Sequence, residues 1–284
     1  MNIVTNNEKF IITFDLDNTI IDEKGKFFPN IKEVLSELKQ SENIILYLIT
    51  GRMFSSLKSL GIYNELVNIF GNNIFCNEGN TIINNEKVQV INKLNTNYLE
   101  NFFKVHFEKF DWIIETSEKI IFNNHSKKEA LLKLSYINTN FFEYSSDLNI
   151  SLFNDKVDIL NIFLFPKTQV NVDYMINLFY KVHYPEEKHT LYQEFIKISP
   201  KNTDKINGYH YILDKYNERH KVIAIGDGYN DISIIKKSFL GIAVYNSHKK
   251  LIEAADIHLQ SNLYDFLRSL VNSLNLPSNE ILIK

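Results

Sequence analysis

The chain has a single cysteine, Cys76, so no disulfide can close within it. A lone thiol fits a reducing compartment. Basic charge is not in excess either: 31 Lys and Arg face 34 Asp and Glu, a net of −3. That balance argues against a general nucleic-acid binder, which neutralises phosphates with a surplus of Lys and Arg. No stretch approaches the ~18 consecutive apolar residues that a bilayer-crossing helix needs. The first residues lack a basic segment followed by an unbroken apolar one, the pattern of a secretory leader. The expectation is a cytoplasmic protein that engages neither membrane nor nucleic acid. The 8 histidines follow no metal-ligand spacing, and His183 and His189 read as surface residues. No internal repeat is visible.

Apolar material is plentiful. The 284 residues are 44% hydrophobic and 23% charged, which fits a soluble globular chain of about two domains. Its most informative stretch is the apolar run Phe10–Phe14, which ends in Asp15, Leu16, Asp17, Asn18 and Thr19. Two carboxylates at the end of a buried strand repel one another and resist desolvation. Such a cost is tolerated where acids hold a metal or do chemistry. Two further runs share the design: Ile44–Ile49 ends at Thr50, Gly51 and Arg52, and Val222–Ile225 ends at Gly226, Asp227 and Gly228. Short, unalternating runs rich in Ile and Val are the mark of parallel strands covered on both faces.

Helical spacing alternates with these runs, at Ile31, Val34, Leu35 and Leu38, at Ile206, Tyr209, Ile212 and Leu213, and again from Ile232. The alternation predicts an α/β fold with a doubly wound, Rossmann-like parallel sheet. Ligands bind outside the carboxyl ends of such strands, so the three polar clusters are expected on one edge. The middle of the chain reads as an α+β insert. It has helical stretches at Tyr98–Phe107 and Val172–Tyr180, and strand-like ones at Trp112–Glu115, Ile120–Phe122, Val157–Phe165 and Phe195–Ile198. The turn-rich residues Asn84–Lys87 and the segment around Pro200 are the expected crossings. The core would then comprise residues 1–83 and 198–284, and the insert residues 84–197.

Taken singly, the polar clusters have ordinary structural readings: an acidic pair in a solvated turn, a strand-to-helix turn, a solvated lysine at 205. Gly226-Asp227-Gly228-Tyr229-Asn230-Asp231 after a strand is the specific one, although Asp and Asn there also suit a helix cap. All of them in order point to phosphoryl transfer. The combination resembles the haloacid dehalogenase (HAD) superfamily, and within it the Cof-like phosphatases of subclass IIB. The resemblance rests on Asp15–Thr19, Thr50–Arg52, Lys205 and Gly226–Asp231, and covers the core well and the insert hardly at all. The space between Thr19 and Thr50 is too short for a cap domain, whereas that between Thr50 and Lys205 is ample. A cap at that position marks subclass IIB, and such caps usually close over small phosphorylated metabolites, often sugar phosphates.

The resemblance implies a role for each residue. Asp15 would be the nucleophile that forms an aspartyl-phosphate, and Asp17 the general acid and base. Mg²⁺, which prefers oxygen ligands, would be held by Asp15, Asp227, the backbone carbonyl of Asp17, and Asp231 through water. Thr50, Gly51 and Arg52 would bind phosphate, with the Gly51 N–H at a helix start. Lys205 would place its charge on the phosphoryl group, oriented by Asn230. The expected protein is a Mg²⁺-dependent phosphatase of a small phosphorylated metabolite, monomeric or weakly dimeric. The alternatives are a phosphomannomutase-like phosphosugar mutase and, from another class, a catalytically silent HAD-fold binding or regulatory protein.

Several positions lie outside the shared pattern. The family commonly has Asn-Gly just before the cap; Gly79 fits, but Glu78 stands in the Asn position and reads as neutral variation rather than a hinge adjustment. Asn246 reads as a neighbour of the site. In the insert, Phe102, Phe103, Phe141, Phe142 and Tyr144 read as packing before sugar stacking, and Lys127 and Lys128, beside His125, as solvated charges.

Overall fold

The structure is a computed structural model and describes residues 9–85, 87–95, 109–127, 142–145, 157–167, 187–191, 195–216 and 221–274. The chain divides into two compact units. The first is Met1–Gly51, Leu60–Asn85 and Asp204–Lys284; the second is Arg52–Ser59 and Glu86–Thr203. These boundaries fall a few residues from the expected ones. The larger difference is Arg52–Ser59, expected in the core and grouped with the insert. Its physical cause is Met53, whose side chain joins a buried cluster of Ile113, Ile120, Phe122, Phe163, Phe165 and Phe195.

In the first unit the three apolar runs are strands β1 Phe10–Phe14, β2 Ile44–Ile49 and β12 Lys221–Gly226. β1 is buried at every position. It pairs in parallel with both others, from Phe10 opposite Ile44 and Lys221 to Phe14 opposite Leu48 and Ile225. β3 Ile74–Cys76, β4 Thr81–Asn84, β13 Leu240–Ala243 and β14 Ile257–His258 extend the sheet. Within this unit the order is β14-β13-β12-β1-β2-β3-β4. Only β4 runs antiparallel to its neighbour, β3. The strand order reverses between β1 and β12, so their carboxyl ends flank the crevice where doubly wound sheets bind ligands.

Helix α1, Ile31–Lys39, buries Ile31, Val34, Leu35 and Leu38, the stripe that its spacing predicts. Helix α3, Tyr63–Phe70, does the same through Tyr63, Leu66, Ile69 and Phe70. Helix α4, Ile206–Tyr216, departs from expectation. Its buried positions are Gly208 and Ile212, while Ile206, Tyr209 and Leu213 are only half-buried. Gly208 sets this face, because a Cβ there would lie 3.0 Å from Ile49 Cδ1. Helices α5 Ile232–Lys237, α6 Lys249–Ile252 and α7 Leu263–Leu274 complete the unit's longer described elements.

The second unit holds the short helix α2, Phe54–Lys58, and strand β5, Lys87–Val90. Its six-stranded sheet is built from β6 Phe110–Thr116, β7 Ile120–Phe122, β8 Phe142–Tyr144, β9 Ile159–Pro166, β10 Glu187–Leu191 and β11 Ile196–Pro200. The order is β10-β11-β9-β6-β7-β8. The four strands expected from sequence are β6, β7, β9 and β11. The two that were not, β8 and β10, lie at the sheet's edges, where short and charged strands are common. The helical stretches expected at Tyr98–Phe107 and Val172–Tyr180 lie outside the described residues. No described helix is long and apolar enough to cross a membrane.

Gly79 carries a conformational demand that no other residue meets. Its φ is +85°, and a Cβ there would lie 2.9 Å from the Gly208 backbone nitrogen and 3.2 Å from the Asp204 carbonyl oxygen. Gly79→Ala should therefore cost ~2 kcal/mol or more, combining backbone strain with a backbone clash. Urea unfolding should show a lower midpoint with an unchanged slope; an unchanged midpoint contradicts this account of the turn.

Candidate active site

The site grows from the carboxyl ends of β1, β2 and β12. Beyond β1, the Asp15 N–H still donates to the Ile225 carbonyl at 2.9 Å, which ties its backbone to β12. The chain then closes a tight loop. The Ile20 and Ile21 N–H groups donate to the Leu16 carbonyl at 3.0 and 3.1 Å, and the Asn18 N–H to the Ile21 carbonyl at 2.9 Å. Asn18 sits at φ +55°, a conformation that Asn tolerates better than most residues. Asp17 is half-buried within this loop. Thr19 Oγ1 lies 3.5 Å from Asp15 Oδ2, at the long limit of a hydrogen bond.

Beyond β12 the chain folds back on itself. The N–H groups of Asp227 and Gly228 donate to Asp231 Oδ2 at 3.2 and 2.9 Å. Gly226 allows this, because a Cβ there would lie 2.5 Å from Asp231 Cγ. Lys205, just before α4, is 1% exposed and Asp15 8%. Lys205 Nζ donates to Asp15 Oδ1 and, at 2.6 Å, to Asp231 Oδ1. Both Asp231 oxygens thus accept hydrogen bonds, one from the lysine and the other from the loop. Asp227 is half-buried. Asp15, Asp227 and Asp231 each place a carboxylate oxygen within 4.8 Å of the others.

Three carboxylates around one ammonium leave an excess of negative charge. Burial pushes the Asp15 carboxyl well above its ordinary range, and Asp231 and Asp227 push the same way while Lys205 opposes them. Asp227 is also raised, by burial and then by Asp231, against hydrogen bonds to Asp15 and Asn18 and the charge of Lys205. For Lys205, burial works against the charged form. The attraction of Asp15 and Asp231 outweighs it and holds the ammonium above the ordinary lysine value. Its stabilising contribution is therefore full below the unfolded pKa of about 10.4 and lost as pH rises through the raised folded value.

Beyond β2, Thr50 is buried. Its N–H donates to the Phe75 carbonyl and its carbonyl accepts from the Glu78 N–H, each at 3.0 Å. A Cβ on Gly51 would lie 3.5 Å from Asn230 Nδ2 and 3.7 Å from Glu78 Cγ, so these side chains converge there. The helix expected to start at Gly51 starts at Phe54 instead and spans 5 residues. Arg52 falls in the second unit, where its Nη1 donates to Ser56 Oγ at 3.1 Å. Asn246 lines a cavity of about 500 Å³ together with Asn18 and Asp227.

Asn18 and Glu78 are the neighbours that sequence reasoning missed. Asn18 adjoins Asp17, and that position was its only signal. In the second unit, His125 stacks on Tyr144 with centroids 4.9 Å apart, and Lys127 Nζ lies 5.7 Å from the Phe165 ring centre. A buried chain there links Glu115 to Asn161 at 2.6 Å and Asn161 to Ser199 at 2.7 Å, a pairing across strands that no motif announces. Phe102, Phe103, Lys128, Phe141 and His183 lie outside the described residues.

A family model for haloacid dehalogenase-like hydrolases matches residues 12–265, and the chain belongs to that family. No curated protein matches it. A haloacid dehalogenase-like hydrolase from Bacteroides thetaiotaomicron superposes with a TM-score of 0.72 at 21% identity, covering 93% of this chain and 100% of the other. A HAD phosphatase from the same organism gives 0.69 at 17% identity, covering 92% and 94%. A subclass IIB sugar phosphatase gives 0.65 at 16%, covering 92% and 99%. These likenesses establish a shared fold.

The donor set fits the metal that the sequence implies. Asp15, Asp227 and Asp231 bring carboxylate oxygens within 4.8 Å of one another, a repulsion that a bound cation or a proton relieves. All-oxygen donors suit Mg²⁺. In metal-free protein the raised pKa values oppose folding. The penalty is absent below the unfolded range near ~4 and full above the raised folded values. Mg²⁺ should therefore raise the melting temperature, by the equivalent of about 2.7 kcal/mol at a hundredfold excess over Kd. The rise should shrink from pH 7 to pH 5 as protons compete. Asp227→Asn should melt above wild type without metal and lose most of the Mg²⁺ response. Thermal scans with and without Mg²⁺ check this, and a full response in the variant contradicts it.

Proposed function

We propose that the chain is a Mg²⁺-dependent phosphatase acting on a small phosphorylated metabolite, in the first instance a sugar phosphate. The observation that carries this reading is the buried Asp15 held by Lys205 at the strand-order reversal, with Asp227 against it. Family membership supports hydrolysis, and fold neighbours described as a phosphatase and a sugar phosphatase support the substrate class. Asp15 and Asp227, with the Asp17 backbone carbonyl, would hold Mg²⁺, which supplies neutralisation of the phosphate dianion's charge.

The chain's own residues divide the remaining work. An Asp15 carboxylate oxygen attacks phosphorus and the ester P–O bond breaks. Asp17 delivers its carboxyl proton to the departing oxygen. The phosphoryl group, now on Asp15, is attacked by water, whose proton passes to the Asp17 carboxylate. The bond from Asp15 to phosphorus breaks, and phosphate and the starting side chains are restored. Lys205 orients the Asp15 carboxylate and screens its charge. Thr50 and Gly51 meet the phosphate at the end of β2.

Purified protein with Mg²⁺ should release phosphate from p-nitrophenyl phosphate and from members of a sugar phosphate panel. Asp15→Asn should lower kcat by ~10³-fold or more. Asp17→Asn should lower it by ~10²-fold or more for alkyl phosphates. Its effect should be smaller on the first-turnover burst of p-nitrophenolate, a good leaving group that needs no proton, than on steady-state turnover, where water attack still needs Asp17. Phosphate release and product chromatography read the outcome. Isomer formation without phosphate release would indicate a mutase. No turnover of any ester, or full activity in Asp15→Asn, overturns the reading.

A further inference from the structure

The Lys205 ammonium is anchored by Asp15 and Asp231, but a lysine stem is long and flexible. Where that stem begins is fixed by the residue before it. Asp204 Oδ1 accepts the Ile206 N–H at 2.9 Å and so caps the first turn of α4. The Asn207 N–H donates to the Asp204 carbonyl at 3.0 Å, and the Gly208 N–H to the Lys205 carbonyl at 3.1 Å. Asn207 Nδ2 ties the same turn to Asn80 Oδ1 at 3.1 Å. A further tie comes from Ser233 on α5, whose hydroxyl donates to that same Asp204 Oδ1. The serines of α1 and α7 do otherwise: Ser36, Ser269 and Ser273 each donate to the carbonyl four residues back in their own helix, an ordinary habit of serine within a helix. Ser233 reaches instead for a carboxylate 29 residues away. It stands two residues after Asp231, so the contacts close a ring. Side chains join Lys205 to Asp231 and Ser233 to Asp204, and the chain itself joins Asp204 to Lys205 and Asp231 to Ser233.

We propose that Ser233 is a positioning residue, which through Asp204 holds Lys205 at the point from which its ammonium reaches both Asp15 and Asp231. The proposal rests on the phosphatase reading of the same site, in which Lys205 orients the Asp15 carboxylate. A displacement of ~1 Å in a reacting group can cost ~10²-fold in rate, so slack at the base of the lysine is passed on to the nucleophile. The phosphate itself is met by Thr50 and Gly51, which take no part in the ring. Loss of the Ser233 hydroxyl should therefore lower kcat and leave KM in place. The change is local, because the Tyr209 hydroxyl donates to the Lys237 carbonyl at 2.8 Å and keeps α4 tied to α5 without Ser233.

Two readouts test it on the full chain with Mg²⁺. In steady-state turnover of p-nitrophenyl phosphate, Ser233→Ala should lower kcat about tenfold, equivalent to ~1.4 kcal/mol, with KM within about twofold of wild type. Ser233→Thr keeps the hydroxyl and should bring kcat back to within about twofold, a recovery that a role in packing alone does not produce. Reductive methylation read by peptide mass spectrometry follows the lysine itself and needs no turnover. Lys205 should react at least ~10-fold more slowly than the exposed Lys249 in wild type, about threefold or more faster in Ser233→Ala, and as wild type in Ser233→Thr. If Ser233→Ala does not fold, Asp204→Asn takes its place: Asn caps a helix as Asp does but offers Ser233 a neutral acceptor, and both readouts should move the same way. Wild-type kcat in the variant, a loss of kcat that Ser233→Thr does not restore, or unchanged labelling of Lys205 overturns the proposal. A wild-type protein that turns over no ester overturns the phosphatase reading instead, and the labelling still decides whether Ser233 holds Lys205.

Discussion

One buried ammonium organises the site. Lys205 reaches Asp15 and Asp231 at once, and so ties the end of β1 to the loop after β12 and to the start of α4. Burying a charge is expensive unless its partners are good. Here two carboxylates bracket one lysine, and one of them has its other oxygen filled by backbone N–H groups. Removing Lys205 would strand two buried anions together. The same geometry leaves Asp15 with a second oxygen, Oδ2, that the lysine does not occupy. The cluster thus carries more negative than positive charge, which a cation would offset.

That imbalance connects architecture to chemistry. The strand order reverses between β1 and β12, so the two carboxyl ends face a common crevice, and the acids that end them are forced together. Desolvation raises both Asp15 and Asp227. Lys205 pulls the Asp15 carboxyl back toward its ionised form, and a cation beside the three acids would pull the same way. The charge state of Asp15 is therefore conditional on the ions around it.

Much of this was legible in the sequence, for identifiable reasons. β1, β2 and β12 announced themselves because they are unalternating apolar runs with polar ends, and α1 because its four apolar residues keep helical spacing. The acids followed, since a strand's end fixes where the next residue stands. Other features left no trace. The edge strands β8 and β10 break their apolar content with charged residues, Glu143 in the one and Glu187 and Lys188 in the other, so no apolar run marks them. The exposed-face bias of α4 depends on Gly208, whose significance is the lack of a side chain. Met53 binds its segment to the second unit through packing that adjacency in sequence hides. Asp231 reads as an acid, but only three dimensions show it turned toward Lys205 and its own loop. The left-handed backbone of Asn77 and Glu78 left no trace either, because a sequence does not display φ.

The account's central claim is that Asp15 carries the phosphoryl group. Protein quenched during turnover with Mg²⁺ and substrate can be treated with borohydride, which reduces an acyl phosphate to an alcohol, and then analysed by peptide mass spectrometry. The account predicts a reduced side chain at Asp15 that appears only when substrate is present. Continued phosphate release with no reduction there, or with reduction at another aspartate, would contradict it.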